Sequence, residues 1–225
     1  MSKRFFNPYI GKSYQTGILG KNILVIGASH YCDKTNCPYF IDCTNEDIKD
    51  SSRNDNICWE YQRKGLKQSL SDNTIESIEN EETAYRIFAK VLSQYVNVEN
   101  HYDVWEYVAF ANYVQFLLPH KDTYDYDVSD RDFEAFMETL QELDPIPDII
   151  IVWGVIVNRY LKQDNPYIVD QKEQDETEGY LCHMREPKSN KKIAIVNPYH
   201  PSSIKYWYNN IDTFKLYLEK AFAEQ

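Results

Sequence analysis

The sequence predicts an α/β fold built on a central, mainly parallel sheet of four strands, and three observations lead there. Apolar, β-branched runs lie near residues 22–28, 104–111, 148–153 and 192–197. Helical patterns separate them, the alternation expected of parallel strands joined by crossover helices. The clearest run, Asp148 to Gly154 (DIIIVWG), holds five apolar residues in succession with no polar alternation, as in strands buried on both faces.

The elements follow in order. Asn22 to Ile26 (NILVI) form the first strand; Gly27 and Ala28 then let the backbone turn tightly, and Ser29, His30, Tyr31, Cys32 and Asp33 follow at once. Residues Thr44 to Asn80 read as the most linker-like region, ending in the acidic DNTIESIENEE, with a short helix in ICWEYQRKGLKQSL. EETAYRIFAKVLSQYV carries Tyr85, Phe88, Ala89, Leu92 and Val96 on one stripe, the spacing of an amphipathic helix. VWEYVAFANYVQ reads as a strand running into a loop near Asn112, and Asp132 to Leu143 as a helix ended by Pro145-Ile-Pro147. After DIIIVWG come the helix VIVNRYLKQ, the strand KKIAIVN leading into PYHPSS, and a closing amphipathic helix, NNIDTFKLYLEKAFAE.

With 225 residues, the chain suits one α/β domain spanning 1–225. No apolar run approaches the roughly 20 residues needed to cross a bilayer, and MSKRFFNPYIGKSY lacks the apolar region of a secretory signal. Cytoplasmic residence and no membrane partner are the expectation. Five cysteines are an odd number, and four cluster as Cys32, Cys37, Cys43 and Cys58 with spacing C-x4-C-x5-C-x14-C. That spacing is looser than paired CxxC motifs. It leaves open a zinc ion or iron–sulfur cluster on one side and reduced thiols on the other; no cofactor is otherwise expected. The net charge of −11 argues against a broad electrostatic grip on nucleic acid. A narrow basic groove would have to draw on Lys21, Lys205 and Arg159.

Four strands thus end in GASHY, FANYVQ, VWG and NPYHPSS. In a parallel sheet these ends share one edge, where open α/β folds bind ligands. Singly, Asn112 reads as a turn residue, His200 as a loop histidine and Trp153-Gly154 as core followed by a turn. Together, at equivalent ends, they read as one pocket.

These motifs resemble the uracil-DNA glycosylase superfamily. Gly27-Ala28-Ser29-His30-Tyr31 stands where the family has a GQDPY-like motif, and Val108-Ala109-Phe110-Ala111-Asn112 is similar to its apolar strand ending in Asn. Ile151-Val152-Trp153-Gly154 is similar to FLLWG, and His200-Pro201-Ser202-Ser203-Ile204-Lys205 to HPSPLS. The resemblance covers spaced motifs over residues 22 to 207 and implies a three-layer α/β/α domain that flips a damaged or deaminated base out of DNA.

The implied roles follow from the chemistry. N-glycosidic cleavage puts negative charge on the departing base, so a donor aimed at its oxygen stabilises the transition state; the resemblance gives that role to His200. Gly27 and Ala28 would line the base site. Asn112 would pair with the edge of uracil and reject cytosine through mispaired buried donors, while Tyr31 would crowd the C5 position. Pro201, Ser202 and Ser203 would hold the DNA backbone, Ile204 would fill the gap of the flipped base and Lys205 would add charge. The family's water-activating Asp corresponds to Ser29, a poor base, which His30 or Asp33 would have to replace; other branches carry Asn or Ala there. Losing a general base typically costs about 100- to 10,000-fold, leaving measurable turnover. The alternatives are a catalytically weak or inactive module on the same fold, holding a nucleobase, nucleotide or protein, and a hydrolase of small nucleoside-like substrates.

Overall fold

A computed structural model of the chain describes residues 4, 6–31, 69–80, 82–115, 117–118, 130–163, 165–170 and 181–224. Its strands are β1 (Tyr9–Ile10), β2 (Ile23–Gly27), β3 (His30–Tyr31), β4 (Val108–Asn112), β5 (Leu117–Leu118), β6 (Ile149–Val152), β7 (Ile168–Asp170), β8 (Leu181–Arg185) and β9 (Lys192–Val196). The helices are α1 (Ser69–Glu79), α2 (Thr83–Leu92), α3 (Asp130–Glu142), α4 (Val155–Gln163) and α5 (Ile204–Ala223), with a 3-10 segment at His101–Tyr107.

The main sheet has seven strands in the order β1-β4-β2-β6-β9-β8-β7. Pairing is parallel from β4 through β2 and β6 to β9, and antiparallel for β1 on β4, β8 on β9 and β7 on β8. The expected four-stranded, mainly parallel sheet is therefore corrected to a seven-stranded mixed one. The added strands are short or flank the apolar core: Tyr9–Ile10 has only two residues, and Ile168–Asp170 has no buried residue. Neither produces the apolar run by which a central strand is recognised. A separate pair, β3 with β5, lies outside the main sheet.

The pleat explains the continuous runs. In β2, Ile23 and Val25 join one core cluster while Leu24 and Ile26 join the other, and β6 splits the same way between Ile149, Ile151 and Ile150, Val152. Successive side chains point to opposite faces, so a strand with a packed layer on each side must be apolar throughout. Phe88 of α2, Trp105 of the 3-10 segment, and Trp207 and Phe214 of α5 cover one face. Phe136 and Leu140 of α3 and Val157 and Leu161 of α4 cover the other.

Three local readings change. The strand expected over 104–111 starts at Val108, because His101–Tyr107 forms 3-10 turns capped by Asn100, whose side chain accepts from Tyr102 N. Part of the linker-like stretch is helix α1, its acidic residues lying on an exposed face (Glu76 and Glu79 are not buried). The closing helix begins at Ile204 rather than near residue 209. Among the described residues no helix is long and apolar enough to cross a membrane.

Candidate functional site

At the carboxyl ends of the parallel strands the chain leaves β2 for β4 on one side and returns past it to β6 on the other. Such a reversal of strand order opens a crevice. Backbone hydrogen bonds lock its loops together. Tyr113 N donates to Gly27 O (2.9 Å), Val114 N to Ala28 O (2.9 Å), Trp153 N to Ile26 O (2.8 Å) and Gly154 N to Pro198 O (3.1 Å). Asn197, just past β9, fastens two of the loops: its amide donates to Val152 O at 2.7 Å, Gly154 O at 3.1 Å and Pro198 O at 3.2 Å. Gln115 does the same for β4, donating to Asn112 O at 2.7 Å and accepting from Phe6 N at 3.0 Å.

The crevice is a cavity of about 770 Å³ that brings together Gly27, Ala28, Ser29 and His30 with Asn112, His200 and Ser202. Pleat parity puts Asn112 on the same face as Phe110, hence on the side covered by α2 and α5. The aromatic base follows from that placement. Tyr85 packs on Phe110 and on Trp153, both at 5.4 Å between centroids, and Phe110 packs on Trp153 at 5.3 Å. All three rings line the cavity. Burial raises the Tyr85 phenol far above its ordinary range, and Thr74 and Ser77 hydrogen-bond its hydroxyl.

Asn112 is buried, and its side-chain amide makes no hydrogen bond among the described residues, leaving a donor and an acceptor turned to the cavity. Gly27 sits beside it in register, and a Cβ there would collide with Asn112 Oδ1 and lie 2.8 Å from Phe110 Cζ. The glycine is needed for space.

His200 packs edge-on against Trp153 at 5.6 Å. Its Nδ1 faces Ser202 Oγ at 2.7 Å and accepts from Ser202 N at 3.2 Å. An N–H can only donate, so Nδ1 carries no proton and the neutral ring holds its proton on Nε2. Burial agrees, lowering the His200 pKa from 6.5 to about 4. At neutral pH the residue is a neutral donor, with no hydrogen-bond partner for Nε2 among the described residues.

Other predicted residues fall elsewhere. Ser29 donates its hydroxyl to His30 O at 2.9 Å, and the His30 ring stands edge-on to Phe6 at 5.1 Å. Pro201 is buried; Ser203, Ile204 and Lys205 begin α5 as exposed residues outside the cavity lining. Tyr31 lies in β3, and its side chain is outside the described residues, as are Asp33, Cys32, Cys37, Cys43 and Cys58. Among the described residues no group of His, Cys, Asp and Glu has the arrangement of a metal site. Lys21 lies at the other end of β2, its Nζ donating to Glu224 O at 2.5 Å, and Arg159 sits over the Tyr160 ring on α4. Neither reaches the cavity, which has no Lys or Arg among its described lining.

The wall that sequence reasoning missed comes from the α1–α2 turn: Ser77, Asn80, Glu82, Thr83 and Tyr85. Only a helical reading of SDNTIESIENEE would have pointed to it, and that stretch has too few apolar residues to announce one. No protein-family model matches the chain, and no curated protein matches it either.

Proposed function

We propose that this cavity binds a uracil-type base carried by DNA and hydrolyses its N-glycosidic bond. The observation that carries the proposal is the pairing of two free groups across one aromatic-floored crevice: the Asn112 amide and the Nε2–H of a neutral His200. An amide offers a donor and an acceptor to a pyrimidine edge. A neutral imidazole donates to the base oxygen without first having to lose a proton, and stabilises charge that develops as the glycosidic bond breaks. The family resemblance of the GASHY, VAFAN, VWG and HPSSIK motifs supports the same assignment, with the α/β/α layering and a parallel β4-β2-β6-β9 centre as the corresponding frame.

A second reading has its own support. The sole charged side chain in the described lining is Glu82, and Lys21 and Arg159 lie away from it, so a free nucleoside needing no phosphate grip also suits the site. Excision from single- and double-stranded oligonucleotides bearing one uracil, run beside hydrolysis of 2′-deoxyuridine, separates the two. Release of uracil that His200→Ala abolishes carries the proposal; release from the nucleoside alone moves the substrate off DNA. Uracil binding without release in either arm leaves a non-catalytic nucleobase module.

A further inference from the structure

A glycosidase of the kind proposed above needs a group to take the proton of the attacking water, and neither of the two loop residues described here is well placed. Ser29 spends its hydroxyl proton on a backbone carbonyl, and the His30 ring packs against Phe6. The α1–α2 turn supplies an alternative in the lining of the same cavity. Glu82 caps α2 without turning its carboxylate onto the helix amides, and it forms no ion pair or hydrogen bond through that carboxylate among the described residues. It is exposed, yet it lines the cavity within one helical turn of Tyr85, together with Ser29, Asn112 and His200. With His200 neutral, it is also the only charged group in the described lining.

We infer that Glu82 is the catalytic base of this pocket and the counter-charge to its cationic sugar, an inference that rests on the glycosidase reading. As the C1′–N bond breaks, its electron pair leaves with the base, whose oxygen accepts from His200 Nε2–H. The sugar becomes an oxocarbenium ion facing a carboxylate. Water adds to C1′, and its proton passes to Glu82, which later returns it through solvent to the base. The products are a C1′-hydroxyl sugar and a neutral base. A lone carboxylate sharing one cavity with a neutral donor stabilises this charge separation with the correct sign at both ends. The acidity of the chain, unfavourable to phosphate binding, is favourable to this cation.

The test uses Glu82→Gln and Glu82→Asp with three measurements: uracil binding, hydrolysis, and affinity for a nucleoside analogue whose sugar is a protonated pyrrolidine, set against its neutral carbocyclic counterpart. The expected result for Glu82→Gln is unchanged uracil binding, a kcat about 100- to 10,000-fold lower at similar KM, and loss of a roughly 10-fold preference for the cationic analogue. Glu82→Asp recovers part of both. Unchanged kcat and cation preference in Glu82→Gln overturns the inference and leaves the glycosidase reading standing. A wild-type protein that neither binds uracil nor cleaves any substrate overturns that reading, and this inference with it. The position is exposed, so folding is not the confounder; equal melting temperatures check this.

Discussion

At the scale of single residues, the site depends on one that has no chemistry of its own to offer and two that do. Gly27 makes room for the Asn112 amide, so Gly27→Ala is expected to cost about 1–3 kcal/mol through overpacking and to abolish uracil binding. Thermal melting beside a binding titration measures both; a variant that binds normally would show that the amide can shift aside. His200 gives a pH signature. Its pKa in the folded state lies near 4, below its ordinary 6.5, so the unfolded chain takes up more protons between those values. Stability is therefore complete above about pH 6.5 and declines as pH falls toward 4. His200→Gln is expected to flatten that part of a melting-temperature profile, and an unchanged slope would place the acid sensitivity elsewhere. Gly27, Asn112 and His200 were all legible from motif position. The protonation state of His200 was not, because it depends on the fold of the Ser202 backbone N–H toward Nδ1.

Among elements, the loops after β2, β4, β6 and β9 are fixed by side chains that sequence alone marks only weakly. Asn197 reads as an ordinary residue before Pro198, yet its amide serves three carbonyls from two loops. Removing it takes a donor from the buried Val152 O, while Pro198 O keeps Gly154 N and Gly154 O keeps Asn158 N, at roughly 1–3 kcal/mol. Asn197→Ala is expected to lower the melting temperature and, by loosening the support under His200, to reduce kcat more than uracil affinity. A variant that loses stability but keeps kcat would mean the loop holds its shape without the clamp. Trp153 acts between elements in another way. It packs against Phe88 of α2, Phe110 of β4 and His200, and Trp153→Ala is expected to cost about 3–5 kcal/mol, measurable by urea unfolding. The core strands were visible as continuous apolar runs. Helix α1 was hidden because its described residues include few that pack inward, and with it the wall carrying Glu82 went unseen.

For the whole molecule, charge and the chain end set the remaining behaviour. Near its end, Glu224 accepts from Lys192 at 3.1 Å and faces His183 Nε2 at 2.7 Å, while its carbonyl takes Lys21. Lys192 and Glu224 are partly exposed while His183 is buried, and contacts of this kind contribute modestly, about 1 kcal/mol together, so Glu224→Ala is expected to lower the melting temperature by roughly 2–4 °C in a domain of this size. With a net charge of −11 and no Lys or Arg among the described residues lining the cavity, DNA binding should depend weakly on salt. A slope near −1 in log K against log salt is expected, against roughly −6 to −10 for proteins with many phosphate contacts; a steep slope would reveal a basic surface away from the cavity. By itself the sequence determined the α/β class, the four apolar strands and the motifs at their ends, because burial on both faces forces an unbroken apolar run and a ligand crevice forces polar residues where such runs stop. Only the tertiary structure decided the seven-stranded mixed sheet, the dispersal of Lys21 and Arg159, and the placing of Glu82 and His200 in the lining of one cavity. Edge strands and surface charges carry no periodic signature, and residues far apart in the chain meet only when packing brings them to one edge of the sheet.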